Sequence, residues 1–162
     1  MKHKKVHLLL GGNLGKREEN LKEAEKLIIE RIGTLESKSS LYETAAWGKE
    51  NQQAFLNQVL LIKTSLSAQE ILTQTQTIES ELGRIRFEKW GERLIDIDIL
   101  FIDDTFLTEE NLIIPHPFLH QRKFTLVPLN EISPYFNHPV LNKNIRTLLA
   151  ECSDNLKVIK LS

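Results

Sequence analysis

Apolar residues along the chain switch between two periods, and the switches divide it into alternating strands and helices. Residues 5–10, "KVHLLL", are a short apolar run closed by Gly11-Gly12-Asn13-Leu14-Gly15, which predicts a first strand ending in a glycine turn. Over residues 17–32 the period lengthens, so that Leu21, Ala24, Leu27, Ile28 and Ile32 share one helical face, with Gly33 as the stop. Residues 34–44 predict a weak strand, residues 45–53 ("AAWGKENQQ") a polar loop with an isolated Trp47, and residues 54–64 a strong strand. Ser67 and Glu70 stand at capping-box spacing and open a second helix, with Ile71, Leu72, Thr75, Ile78 and Leu82 inward and Gly83 at its end. An irregular cationic loop, "RIRFEKWGERL", leads into "ERLIDIDILF", a strand on which Ile95, Ile97, Ile99 and Phe101 form one apolar stripe.

The order β-α-β-β-α-β predicts an α+β fold with a ferredoxin-like core, in which helices cover one face of a largely antiparallel sheet. C-terminal additions follow: a turn at Asp103-Asp104, a short strand near residues 105–108, a loop leading into a helix within residues 113–134, and a terminal helix over residues 145–152. The whole chain, residues 1–162, is expected to form a single domain.

Composition narrows the possibilities without adding any. Hydrophobic residues make up 41% and charged residues 27% of the chain, and the formal net charge of −1 gives no bulk reason to expect nucleic acid or an anionic membrane as partner. The single cysteine, Cys152, excludes an intrachain disulfide and a multi-cysteine metal site, and its place beside Ile145, Leu148 and Leu149 suits a small core residue. The basic start "MKHKKVHLLLGGN" has too short an apolar run for a signal peptide, and no 18-residue apolar span occurs, so a cytoplasmic location is expected.

Asp96 and Asp98 are the residues that most need explaining. They point to the same face of a strand, roughly 6–7 Å apart at the backbone, although aspartate is depleted in strands and like charges repel. A divalent cation relieves that repulsion, and magnesium favours one or two carboxylates completed by phosphate and water. The alternative is a half-exposed strand with a solvated acidic face. Arg84, Arg86, Lys89 and Arg93 stand just upstream and would supply the charge a polyphosphate needs. "GGNLGK" is not a phosphate-binding P-loop, because position 10 is leucine where a glycine is required and Arg17 replaces the serine or threonine after the lysine. "PHPF" holds His116 between two prolines, with Arg122 and Phe124 close behind. Phe55 and Asn57 share one strand face, a ring and an amide suited to a flat hydrogen-bonding heterocycle, though for Phe55 taken alone core packing is the better explanation.

These blocks together resemble the 6-hydroxymethyl-7,8-dihydropterin pyrophosphokinase family of folate biosynthesis. "KWGERLIDIDIL" carries the signature, with "GGNLG", "YETAAWG", "FLNQV", "QTIESELGRIR" and "PHPFLHQRKFTLVPLNEISP" in order along nearly the whole chain. The resemblance implies an ATP-dependent diphosphotransferase that moves pyrophosphate from ATP to the pterin hydroxymethyl oxygen and releases AMP. It implies Asp96 and Asp98 as ligands of two magnesium ions, and a catalytic set of Arg84, Arg93, Asp96 and Asp98. ATP contacts would come from Gln76, Glu79, Arg84, Arg86, Trp90, Arg93, Ile99, His116 and Arg122. The pterin site would comprise Thr44, Ala45, Trp47, Phe55, Asn57, Asp96 and Phe124, with Phe55 and Phe124 as stacking rings. The expected partners are ATP and 6-hydroxymethyl-7,8-dihydropterin, with neither nucleic acid nor membrane, and the expected state is a monomer or a weak dimer.

The chain departs from the family pattern at Gly12, Ala45, Lys89 and Asn111, and none of these is an expected metal ligand. Two other readings compete. A nucleotidyltransferase of the polymerase β type also pairs glycines with D-x-D, but close together in sequence, whereas more than eighty residues separate Gly12 from Asp96 here. An RNA-recognition module shares the element order but needs an aromatic-rich strand block that this chain lacks.

Overall fold

Alternation along three central strands decides which side of the sheet each helix covers. A computed structural model describes residues 2–45, 53–83 and 94–161. The elements run β1 (Lys4–Gly12), α1 (Arg17–Arg31), β2 (Thr34–Lys38), β3 (Leu41–Thr44), β4 (Phe55–Thr64), α2 (Ala68–Leu82) and β5 (Asp96–Ile102). They continue with β6 (Leu107–Glu109), β7 (Leu112–Ile114), a 3₁₀ turn (Leu119–Gln121), α3 (Lys123–Ile132), α4 (Ile145–Glu151) and β8 (Val158–Leu161). The main sheet has the order β5-β1-β4-β3-β8, with β2 also on β4, and its pairings are antiparallel. This is the expected ferredoxin-like core.

The expected weak strand over residues 34–44 is two strands, β2 and β3, that pair with successive halves of β4. Ser39 joins them without leaving β4: its N–H donates to the Val59 carbonyl at 2.9 Å, and its Oγ accepts the Val59 N–H at 3.0 Å. Helix boundaries follow the sequence closely. Ser67 Oγ accepts the Glu70 N–H at 3.1 Å while Glu70 Oε1 accepts the Ser67 N–H at 2.8 Å, the reciprocal pair that starts α2. Gly33 is required for close approach rather than for a left-handed cap, because a Cβ there would lie 2.0 Å from the Lys63 carbonyl oxygen.

Helices cover both faces of the sheet, not one. Leu21, Ala24 and Ile28 of α1 and Ile71 and Ile78 of α2 pack on Val6, Leu8, Leu10, Leu56, Leu60 and Ile62. On the other face Leu126 and Leu129 of α3 and Ile145 and Leu148 of α4 pack on Leu9, Val59, Leu100 and Phe101. Fully burying a side chain of this kind is worth about 1.5–3 kcal/mol. Isolated helices of this length are marginal in water, so these contacts hold them in place. Phe101 also changes sides. His7 pairs with Phe101 but Leu8 pairs with Ile99, so Leu100 is an extra residue that turns Phe101 away from the Ile95–Ile97–Ile99 stripe and towards α3 and α4. The short strand expected at residues 105–108 is the first arm of the β6–β7 hairpin, and β8 follows the terminal helix unforeseen. Cys152 packs half-buried against the second core, as expected.

Candidate functional site

Four strand ends meet at one end of the α3/α4 face and leave it open. Gly11 pairs with Asn57 on one side and Asp96 on the other, and Thr44 pairs with Phe55. Strand alternation then turns Leu9, Gly11, Phe55, Asn57, Asp96 and Asp98 to the same face. α3 closes the opposite side with its N-cap residue Arg122 and with Phe124 from its first turn. The chamber between them, about 210 Å³, is lined by these residues together with Thr44, Ala45 and Leu156. Helix and sheet are fixed to each other by Glu131 of α3, whose Oε1 accepts the Tyr42 hydroxyl at 2.7 Å and the Ser40 N–H at 2.9 Å.

The chamber is apolar with a few placed polar groups. The Thr44 hydroxyl is buried and has no hydrogen-bond partner among the described residues, so it is free to bond a ligand's polar atom. The Asn57 amide donates to the Leu10 carbonyl at 3.3 Å. The Arg122 guanidinium lies 5.6 Å from the Phe124 ring centroid and 5.3 Å from that of Phe118, a cation held over two aromatic faces.

A second, wider groove of about 330 Å³ lies across β5 from the chamber. Leu72 of α2, Ile97 and Ile99 of β5, and Glu110, Asn111, Leu112 and Ile113 of the hairpin line it, with His116 and Pro117. Asp98 is a wall of both cavities. Burial pushes its carboxyl above the usual range, and the nearby Arg122 charge only partly offsets this. The His116 N–H donates to the Leu100 carbonyl at 3.0 Å, which ties the proline-flanked loop to the edge of β5. His116 Nδ1 accepts the Phe118 N–H at 3.2 Å, leaving Nε2 to carry the ring proton. Burial, and then Arg122, lower the basicity of that ring.

Among the expected residues, the chamber gathers Thr44, Ala45, Phe55, Asn57, Asp96, Asp98, Arg122 and Phe124, and the groove gathers Asp98, Ile99 and His116. Glu79 lines neither; its Oε2 accepts the Ile97 N–H at 2.7 Å, bracing β5 between the two aspartates. Gln76 is exposed on α2 and lines neither cavity. Trp47, Arg84, Arg86, Lys89, Trp90 and Arg93 lie outside the described residues. Sequence reasoning passed over Leu156, Leu9 and, of the hairpin, Glu110, Leu112 and Ile113. Among the described residues no group of three or more histidine, cysteine or acidic side chains could hold a metal. Two carboxylates on one strand face instead suit an ion completed by phosphate and water oxygens.

Fold and cleft together define a ferredoxin-like α+β protein with a ring-lined chamber joined to an open groove at a shared carboxylate. The sequence pattern of the 7,8-dihydro-6-hydroxymethylpterin-pyrophosphokinase (HPPK) family matches residues 7–134, and the chain belongs to this family. It is similar to the 2-amino-4-hydroxy-6-hydroxymethyldihydropteridine pyrophosphokinase of Aquifex aeolicus, 46% identical over 147 residues that cover 90% of this chain and 91% of the relative. The Haemophilus influenzae enzyme of that name is 38% identical over 97% of this chain and 98% of its own length. In fold the chain resembles wild-type Plasmodium falciparum HPPK-DHPS crystallised with pteroate, with a TM-score of 0.76 at 19% identity over 93% of this chain and 42% of that one. No helix among the described residues is long and apolar enough to cross a membrane.

Proposed function

We propose that the chamber holds 6-hydroxymethyl-7,8-dihydropterin, that the groove holds ATP, and that pyrophosphate passes between them beside Asp98. As a member of the family the chain is a pyrophosphokinase, an ATP-dependent diphosphotransferase of folate biosynthesis. The observation that carries the assignment of the two cavities is their common wall: one carboxylate borders both, so ligands in the two would meet there.

Each chamber group has a role in this reading. Phe55 and Phe124 take the faces of the pterin, and Asn57 and the Thr44 hydroxyl take polar atoms on its edge. Ile97, Ile99, Leu72 and Ile113 offer the groove an apolar lining for a nucleoside. His116 Nε2–H and Arg122 are donors for phosphate oxygens, and the family resemblance assigns the same role to Arg84, Arg86 and Arg93. Glu79 keeps β5 in register, and the family resemblance adds Trp47 as a pterin contact and Trp90 and Gln76 as nucleotide contacts. Asp96 and Asp98 would hold magnesium, two ions with ATP bound, which when bound neutralises developing phosphate charge. Burial of Asp98 fits this role, since a cation offsets the cost of keeping its charge out of water. The site then works mainly by holding the hydroxymethyl oxygen in line with the β-phosphorus in a place shielded from water. The protein is read as a single-domain, cytoplasmic monomer or weak dimer with no nucleic-acid or membrane partner.

Calorimetry with the dihydropterin and α,β-methylene ATP tests the arrangement. Both ligands should bind at once, each at one per chain. Mutual exclusion would contradict two adjoining sites.

A further inference from the structure

The family pattern stops at residue 134, yet the chain returns to the chamber afterwards through residues 154–158. We infer that Leu156, positioned by Asp154, is a specificity-determining wall of the pterin chamber; this rests on the function proposed above. α3 begins at Lys123, and its N-cap residue Arg122 supplies no side-chain hydrogen bond to the helix. The cap comes from the C-terminal segment instead. Asp154 Oδ2 accepts the Lys123 N–H at 2.9 Å, and its Oδ1 accepts the Leu156 N–H at 3.0 Å. A carboxylate at a helix N-terminus is favoured both by the hydrogen bond and by the helix dipole.

One side chain thus fixes two things at once. Lys123 lies between Arg122 and Phe124, both chamber residues, so the carboxylate that sets the start of α3 also sets the backbone of Leu156. Two residues beyond Leu156 the chain enters β8, where Val158 pairs with Thr44. The segment is therefore pinned at the Phe124 side by Asp154 and at the Thr44 side by β8. Leu156 stands between these anchors, half-buried, with its side chain lining the chamber. An apolar side chain held on both sides limits how large a ring or ring substituent the chamber admits.

Pterin and ATP-analogue dissociation constants should be measured for the wild-type protein, Leu156→Ala and Leu156→Trp, using 6-hydroxymethyl-7,8-dihydropterin and the same ring with one added ethyl group. Leu156→Ala should weaken binding of the natural pterin about tenfold and improve binding of the ethyl-bearing ring relative to it. Leu156→Trp should weaken both pterins and the bulkier one more, and neither variant should change ATP-analogue binding beyond about twofold. Asp154→Asn should raise the pterin KM with kcat within about twofold of wild type. An unchanged pterin constant in Leu156→Ala, or an equal loss for nucleotide and pterin, overturns this inference while leaving the function intact. A wild-type protein that binds no dihydropterin overturns the function and this inference together.

Discussion

A Cβ on Gly11 would lie 2.3 Å from Asn57 Nδ2, so the Asn57 amide occupies the space that a side chain at position 11 would take. The two residues are paired across β1 and β4 at the floor of the chamber. Because position 11 is glycine, the amide has room over the strand and donates to the Leu10 carbonyl at 3.3 Å.

Gly11→Ala should therefore act through Asn57. The added methyl forces the amide off the floor, with an expected stability cost of about 1–3 kcal/mol. Pterin affinity should fall by about tenfold, the loss expected when a site hydrogen bond is displaced. Nucleotide binding should change little. Denaturant unfolding and calorimetry check the two effects, and an unchanged pterin constant would show that Asn57 plays no part in binding.

Asp96→Ala and Asp98→Asn should each lower turnover by at least about a thousandfold, because each removes a group placed at developing phosphate charge. Their stabilities should behave otherwise. Burial raises the Asp98 carboxyl above its unfolded value, so near neutral pH its charge opposes folding. A neutral Asn at that position should leave Tm unchanged or raise it. Turnover close to wild type in either variant removes the assigned role.

Phe55→Ala should weaken pterin binding by about tenfold or more, since aromatic stacking on a heterocycle is worth roughly 1–3 kcal/mol. The groove lies on the other side of β5 and does not include Phe55, so ATP-analogue affinity should stay near wild type. Equal losses for the two ligands would assign Phe55 to packing instead.

Much of this site was legible because strand alternation is a local rule. Asp96 with Asp98, and Phe55 with Asn57, lie two residues apart, and that spacing alone puts each pair on one face. Two things broke the rule or lay beyond it. The extra residue at Leu100 turns Phe101 to the opposite face, and nothing in "DIDILF" marks where such a bulge falls. Leu156 reaches the chamber through a remote cap on α3 and a four-residue edge strand, neither of which leaves a periodic trace. The helices α3 and α4 were foreseen individually, but their place on the second face depends on long-range packing against Leu9 and Val59.

His7 provides a test of the same second face by acid. Its ring is buried against Phe101 and Phe136, with Nε2 2.8 Å from Ser133 Oγ and Nδ1 without a partner among the described residues. Burial, and then the charge of Lys5, lower its pKa from 6.5 to about 4. The unfolded chain therefore binds a proton that the folded chain refuses between these values, and stability present above pH 6.5 is lost as pH falls towards 4. The shift corresponds to roughly 3 kcal/mol. His7→Gln should unfold with a flatter pH dependence across that window. Parallel curves for variant and wild type would contradict the assignment.

The nucleotide product tests the central claim most directly. An ordinary kinase directs its nucleophile to the γ-phosphorus and releases ADP, whereas transfer of pyrophosphate requires attack at the β-phosphorus with AMP as leaving group. The protein should be incubated with ATP, magnesium and 6-hydroxymethyl-7,8-dihydropterin, and the nucleotides separated by chromatography. AMP and pterin diphosphate should appear in equal amounts, with no ADP and no product when magnesium is chelated. ADP as the stoichiometric product would contradict the account.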